Sequence, residues 1–157
     1  MRLFKAGLCA LGLVALTATA DAQTPASPSP AEIVAARQAA MTMSGGLLSG
    51  LAIGANSGAE IKTFGYGAYG LEAWAKALQS LFPAGTGPQD VQVRIRAKPE
   101  IWSDPAGFAA AAKAFAESTM RLRAFAKQND AAGFKAQLKD VEAHCIACHT
   151  AYRSGPV

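Results

Sequence analysis

The chain has 157 residues, of which 51% are hydrophobic, 17% charged and 8% aromatic. This length predicts a single domain, and the apolar content excludes a disordered protein. The formal net charge is +4, but the 15 lysines and arginines are scattered singly along the chain. The sequence therefore contains no basic cluster of the kind that binds nucleic acid.

The first 22 residues have the pattern of a secretory signal peptide. Arg2 and Lys5 precede an apolar, uncharged run over residues 6–20, and small residues continue to Ala22. A membrane anchor is the alternative, but it needs about 20 apolar residues and this run is shorter. We therefore predict export, removal of residues 1–22, and no membrane insertion of the mature chain.

Residues 23–30 are rich in proline and serine, which predicts a flexible leader before one folded unit of residues 31–157. The segment from Ser29 to Glu32 has the pattern of a capping box. Serine stands at the cap, proline follows at the first helical position, and glutamate comes three residues after the serine. We therefore expect the first helix to begin here.

Beyond the leader, apolar residues recur at helical spacing in four segments, with no comparable strand pattern. A second helix is predicted over residues 59–82, a third from Ser103 or Asp104, and a fourth after Asp130. The long loop between the second and third helices is of a length that is usually functional. The pattern predicts an all-α, antiparallel four-helix bundle with this long loop.

Two features of the first helix are unusual for a bundle. Arg37 lies on a face otherwise made largely of apolar residues, so its charge requires a partner, unless the side chain reaches the rim. Gly45, Gly46, Gly50 and Gly54 each cost about 1 kcal/mol relative to alanine in a helix. These glycines make room either for a group close to the backbone or for close helix packing.

The fourth predicted helix contains the C-x-x-C-H pattern of c-type haem attachment, at Cys145, Cys148 and His149. Residues three and four apart lie on one helix face. The two thiols can therefore form thioether bonds to the two vinyl groups of one porphyrin, with the His149 imidazole beneath the iron. The sequence thus predicts one covalent haem c.

Other uses of a cysteine pair fit the sequence less well. A redox dithiol is expected at the start of a helix among strands, but this pair lies near the end of the last helix of an all-helical chain. A structural zinc site needs four ligands, and after signal removal only His144 remains beyond the motif. His144 is expected to be a solvated surface residue.

These residues resemble the class II c-type cytochromes, the cytochrome c prime family, over essentially the whole mature chain. Members of this family are four-helix bundles that bind haem near the C-terminus. The matching segments are the haem motif followed by Tyr152-Arg153, the pair Arg37-Gln38, the run from Pro99 to Asp104 with Phe108, and Leu81-Phe82-Pro83.

The resemblance implies thioether links at Cys145 and Cys148 and ligation of the iron by His149. It also implies that Arg37 and Gln38 lie near a haem propionate, which would supply an anion for the arginine. Arg153 resembles the family's arginine on the proximal side, and Tyr152 is expected to pack there.

The resemblance places Met41 at the distal position, above the iron. In one branch of the family the distal side chain only blocks the site, and gases such as NO or CO bind; in the low-spin branch a methionine ligates the iron. We expect ligation, because a methionine stands there and Leu81-Phe82-Pro83 is similar to the low-spin branch.

The sequence therefore predicts a periplasmic cytochrome that carries one electron between redox partner proteins. The alternative is a five-coordinate, gas-binding cytochrome c prime. No catalysis is expected, since the first helix offers no distal histidine or carboxylate to handle a proton. Family members often form antiparallel homodimers through the first two helices, so the resemblance includes a homodimer among the expectations.

Overall fold

The structure is a computed structural model in which residues 27–155 are described. The predicted signal peptide, residues 1–22, and the start of the predicted leader lie outside this range. Pro30, the last residue of the predicted leader, is already the first residue of helix α1, Pro30–Asn56.

Helix α1 begins with the predicted capping box. The Ser29 hydroxyl accepts from the Glu32 backbone N–H, and the Glu32 carboxylate accepts from the Ser29 N–H at 2.7 Å. This reciprocal pair satisfies two backbone donors that a helix start leaves without partners. The start of α1 is thus fixed by local sequence.

The second predicted helix is not continuous. The structure has a 3-10 turn at Ile61–Phe64, helix α2 at Gly65–Ala77 and a second 3-10 turn at Leu78–Leu81. The helical spacing of its apolar residues is right about burial, since Ile61, Ala68, Leu71, Ala75 and Leu78 all lie in the core. The break at Phe64 has a packing reason: its ring lies directly on the backbone of Gly54 in α1 and stacks on Phe134 at 6.3 Å.

The third and fourth predicted helices are α4, Pro105–Gln128, and α5, Ala131–Tyr152. Asp104 caps α4 and Asp130 caps α5, each accepting from a backbone N–H three residues later. Asn129 takes the left-handed conformation between them, with φ 55°. This turn makes α4 and α5 antiparallel neighbours.

The long loop includes a short helix, α3, at Glu100–Ser103. We call residues 82–99 the strap. Its end is fastened to the end of α5: the Lys98 N–H donates to the Tyr152 carbonyl, and the Ser154 N–H donates to the Arg96 carbonyl. These bonds satisfy carbonyl and amide groups beyond the last turn of α5.

The predicted all-α, antiparallel four-helix bundle is confirmed. Within residues 27–155 there is no strand, and the only bridge is an isolated pair, Ala97 with Arg153. No helix in this part of the chain is long and apolar enough to cross a membrane. The core lies where α1, α2, α4 and α5 meet and includes Leu51, Leu71, Leu122, Phe134 and Val141.

Candidate functional site

A cleft lies between α1, α2 and the second half of α5. It consists of two adjoining cavities, of about 360 Å³ and about 270 Å³, which share Met41, Leu78, Cys148 and His149 as lining residues. The strap and α3 border the larger cavity. Each cavity has the size, or nearly the size, of an ordinary ligand pocket.

The two cysteines of α5 face this cleft. Cys145 lines the smaller cavity and Cys148 lines both, and each is a half-buried free thiol. Burial raises the pKa of the Cys145 thiol to about 11, with further contributions from Cys148 and Glu142. Burial also raises the pKa of Cys148. At neutral pH both groups are therefore protonated thiols, unlike the thiolates of redox and metal sites.

His149 lines both cavities from α5. Burial lowers the pKa of its imidazole, and the nearby cations of Arg153 and Arg96 lower it further. Its Nδ1 lies 3.2 Å from Arg153 Nη1. A neutral imidazole carries a nitrogen lone pair, which is the form that binds a metal.

Met41 lines both cavities from α1 and is half-buried. The cleft thus has the predicted proximal residue on α5 and the predicted distal residue on α1. Ligation of iron by Met41 stays a prediction.

Arg37 is buried on the inner face of α1, at 4% exposure. Its guanidinium donates to the Leu81 carbonyl at 3.2 Å, to Thr86 Oγ1 at 3.2 Å and to the Thr86 carbonyl at 3.1 Å. It also lies over the Phe82 ring at 4.5 Å and the Trp102 ring at 5.8 Å. Neutral groups therefore satisfy this charge, so the buried arginine does not in itself require an anion. Its place beside a propionate remains a prediction.

The other residues suggested by the resemblance border the larger cavity. Gln38 donates from Nε2 to the Arg94 carbonyl in the strap at 2.9 Å. The Tyr152 ring packs edge-on against the Phe108 ring, with 5.3 Å between the ring centres. Both Tyr152 and Arg153 line the larger cavity. Burial, together with the Asp104 carboxylate, raises the pKa of Tyr152.

Three residues of the site were not predicted from the sequence. Thr86 is buried in the strap and holds Arg37, but nothing around it in the sequence marks it as a partner. Trp74 lines the smaller cavity, whereas the nearby rings of Tyr66 and Tyr69 are exposed. His144 also lines that cavity and lies 3.9 Å from Asp140, so it is half-buried rather than solvated.

The donor set fits a covalently held porphyrin better than its alternatives. Among the described residues no group of three or more histidine, cysteine or acidic side chains can hold a metal ion, which argues against zinc. The cysteines lie near the end of α5 with protonated thiols, which argues against a redox dithiol. Cys145, Cys148 and His149 would hold the group, and the cleft beside them is lined mainly by apolar side chains.

Comparison with known proteins identifies the family. A family model described as Cytochrome C' matches residues 32–153. Cytochrome c' of Alcaligenes xylosoxydans xylosoxydans is 46% identical over 57 residues, covering 36% of this chain and 45% of that protein. The chain thus spans less than half of that curated relative in sequence.

Solved structures match over most of the chain. Cytochrome c' from Rubrivivax gelatinosus has a TM-score of 0.72 at 29% identity, covering 80% of this chain and 97% of that one. A ferrous variant of cytochrome c prime from Alcaligenes xylosoxidans, solved with bound NO, has a TM-score of 0.73 at 27% identity. This match covers 83% of the present chain and 100% of the chain of the variant. With the motif on α5 and the cleft beside it, these matches show that the chain belongs to the cytochrome c' family, whose members carry covalent haem c.

Proposed function

We propose that this protein binds a small diatomic gas, NO or CO, on the α1 side of its haem. The observation that carries the proposal is the extent of the cleft along α1, where its lining runs from Arg37 past Met41 to Ser49. Most side chains of α1 along that part of the lining are small or apolar, Met41 among them. The solved relative with bound NO supports gas binding better than the electron transfer expected from the sequence.

The residues of the chain have distinct roles in this proposal. When bound, the haem would supply an iron atom that can take a gas molecule and change its oxidation state by one electron. Cys145 and Cys148 hold the porphyrin on α5. His149, held neutral, offers the proximal nitrogen. Met41 covers the opposite side with a flexible apolar side chain that limits the entry of water.

The proposal does not include catalysis. The α1 residues that line the cleft contain no histidine and no carboxylate, so α1 offers no group to move a proton on the distal side.

One-electron transfer to redox partner proteins is the second candidate. The observation that favours it is the thioether of Met41 in the cleft, since methionine paired with histidine is a common axial ligand set in electron-transfer cytochromes. In that case Met41 would occupy the position that a gas would otherwise take.

The location and assembly of the protein belong to the same proposal. The signal peptide pattern of residues 1–22 supports a periplasmic protein. The exposed rings of Tyr66 and Tyr69 on α2, at 86% and 47% exposure, support a homodimer that uses this surface.

Absorption spectra of the reduced holoprotein, with and without CO, test the two candidates. Gas binding predicts broad high-spin bands that shift with CO in the wild type. The spectra of a Met41→Leu variant should then show the same bands and the same shift. Electron transfer predicts sharp α and β bands that CO leaves unchanged, and a Met41→Leu variant that becomes high-spin and binds CO. A colourless protein whose mass shows no porphyrin would contradict both.

A further inference from the structure

The smaller cavity of the cleft opens to solvent between α1 and α5. Four of its lining residues are exposed, Gly45 and Ser49 on α1 and Glu142 and Ile146 on α5. We call these four residues the mouth. Deeper in the same cavity are Met41 and both cysteines, so the mouth leads to the space between the distal residue and the attachment helix.

Gly45 is the most unusual residue of the mouth. It lies inside α1, where glycine costs about 1 kcal/mol relative to alanine. Among the described residues, no atom outside its own helix turn lies within 4 Å of a Cβ built on it. Close helix packing therefore does not account for this glycine, in contrast to Gly54, where a Cβ would overlap the Phe64 ring.

The position of Gly45 explains what its missing side chain leaves open. Helical side chains lean toward the N-terminus and cover the preceding turn. A side chain at position 45 would therefore lean over the turn that carries Met41, four residues earlier. Because position 45 is a glycine, no side chain from this position covers the path from the mouth to Met41.

We propose that the mouth is the entry for diatomic gas to the distal side of the haem, and that Gly45 keeps this entry open. This inference rests on the proposed function. An uncharged gas suits this opening, because glycine, serine and isoleucine edge it and Glu142 is its only charged residue. The larger cavity instead has Arg37, Gln38, Arg96 and Arg153 in its lining, with the strap along one side.

The test compares Gly45→Leu with Gly46→Leu. Gly46 is the matched control, because it is also exposed in α1, also has no atom within 4 Å of a built Cβ among the described residues, and does not line either cavity. Both substitutions gain the same helix propensity, so thermal unfolding of the two holoproteins should agree. Gly45→Ala serves as a milder variant with the same direction of effect.

The measurement is the association rate of CO with the reduced holoprotein after flash photolysis. We expect Gly45→Leu to slow it by about tenfold or more, equivalent to about 1.4 kcal/mol of added barrier, and Gly46→Leu to leave it within about twofold of the wild type. Equal rates in the two variants would overturn the proposed entry.

A second measurement makes the result independent of the iron ligands. In holoprotein substituted with zinc, quenching of the porphyrin triplet state by dissolved oxygen reports gas access whether or not Met41 ligates iron. The same difference between Gly45→Leu and Gly46→Leu is expected there, and its absence would likewise reject the entry. Failure of the proposed function itself would instead appear as wild-type iron protein that does not respond to CO or NO.

Discussion

Replacing Arg37 by methionine should destabilise the protein by releasing the strap. The guanidinium makes three hydrogen bonds to residues 81–86, at 3.1 to 3.2 Å, and lies 4.5 Å from the centre of the Phe82 ring. We assign about 1 kcal/mol to each of these four contacts, below the usual value for hydrogen bonds to charged groups because the bonds are long. Removing a buried charge recovers about 1 to 2 kcal/mol. We therefore expect Arg37→Met to lower the free energy of unfolding by about 2 to 3 kcal/mol.

Urea denaturation of the holoprotein, followed by far-ultraviolet circular dichroism, measures this loss. For a domain of this size it corresponds to a fall in Tm of about 6 to 10 °C. Hydrogen exchange should accelerate in residues 82–99 and much less in α4. Thr86→Val keeps the shape of a buried side chain. It removes one of the three bonds of Arg37 and also the bond that the Thr86 hydroxyl donates to the Pro83 carbonyl, so it should cost about 2 kcal/mol.

The matched control is Lys113→Met, which removes a charge whose side chain is 79% exposed. Its effect should stay within about 0.5 kcal/mol. If Arg37→Met is no more destabilising than this control, the strap is not held by Arg37. If the effects of Arg37→Met and Thr86→Val add fully in the double variant, the two residues are not coupled.

Two further predictions concern α1 and α2. Gly54→Ala should destabilise the protein by about 1 to 3 kcal/mol, because the added Cβ would overlap the Phe64 ring. Gly50 faces open space, so Gly50→Ala should stabilise the protein by up to about 1 kcal/mol. Equal effects of the two substitutions in urea denaturation would contradict the packing described at Gly54. Hydrogen bonding from Lys76, opposed in part by burial, lowers the pKa of Glu72 below its ordinary value of 4.5. The ionised carboxylate therefore stabilises the folded protein above about pH 4.5, and this stabilisation is lost as the pH falls through the lower pKa of the folded state. The Tm of Glu72→Gln should therefore lie below the wild-type Tm at pH 7 and approach it in acid, and a gap that does not change with pH would reject this linkage.

Local sequence was sufficient to predict the starts of α1, α4 and α5. Ser29, Asp104 and Asp130 each bond a backbone N–H two or three residues into the helix that they precede, and such contacts depend only on neighbouring residues. The break at Phe64 could not be predicted in this way. It depends on Gly54, which lies across a turn in another helix.

The attachment motif was equally accessible from sequence, because the spacing of Cys145, Cys148 and His149 places all three on one helix face. The environment of Arg37 was not. Its partner Thr86 lies 49 residues away in a loop with no regular pattern, so only the tertiary structure brings the two together. For the same reason the sequence could not separate Gly45, at an opening, from Gly54, in a contact.

The strap has a consequence for which part of the protein opens first. Its bonds to Arg37, Gln38 and the end of α5 are polar, and most of its side chains are exposed. Apart from Phe82, little of the strap therefore packs against the hydrophobic core. The strap can therefore open locally while α2, α4 and α5 stay packed, and such opening would expose the larger cavity to solvent.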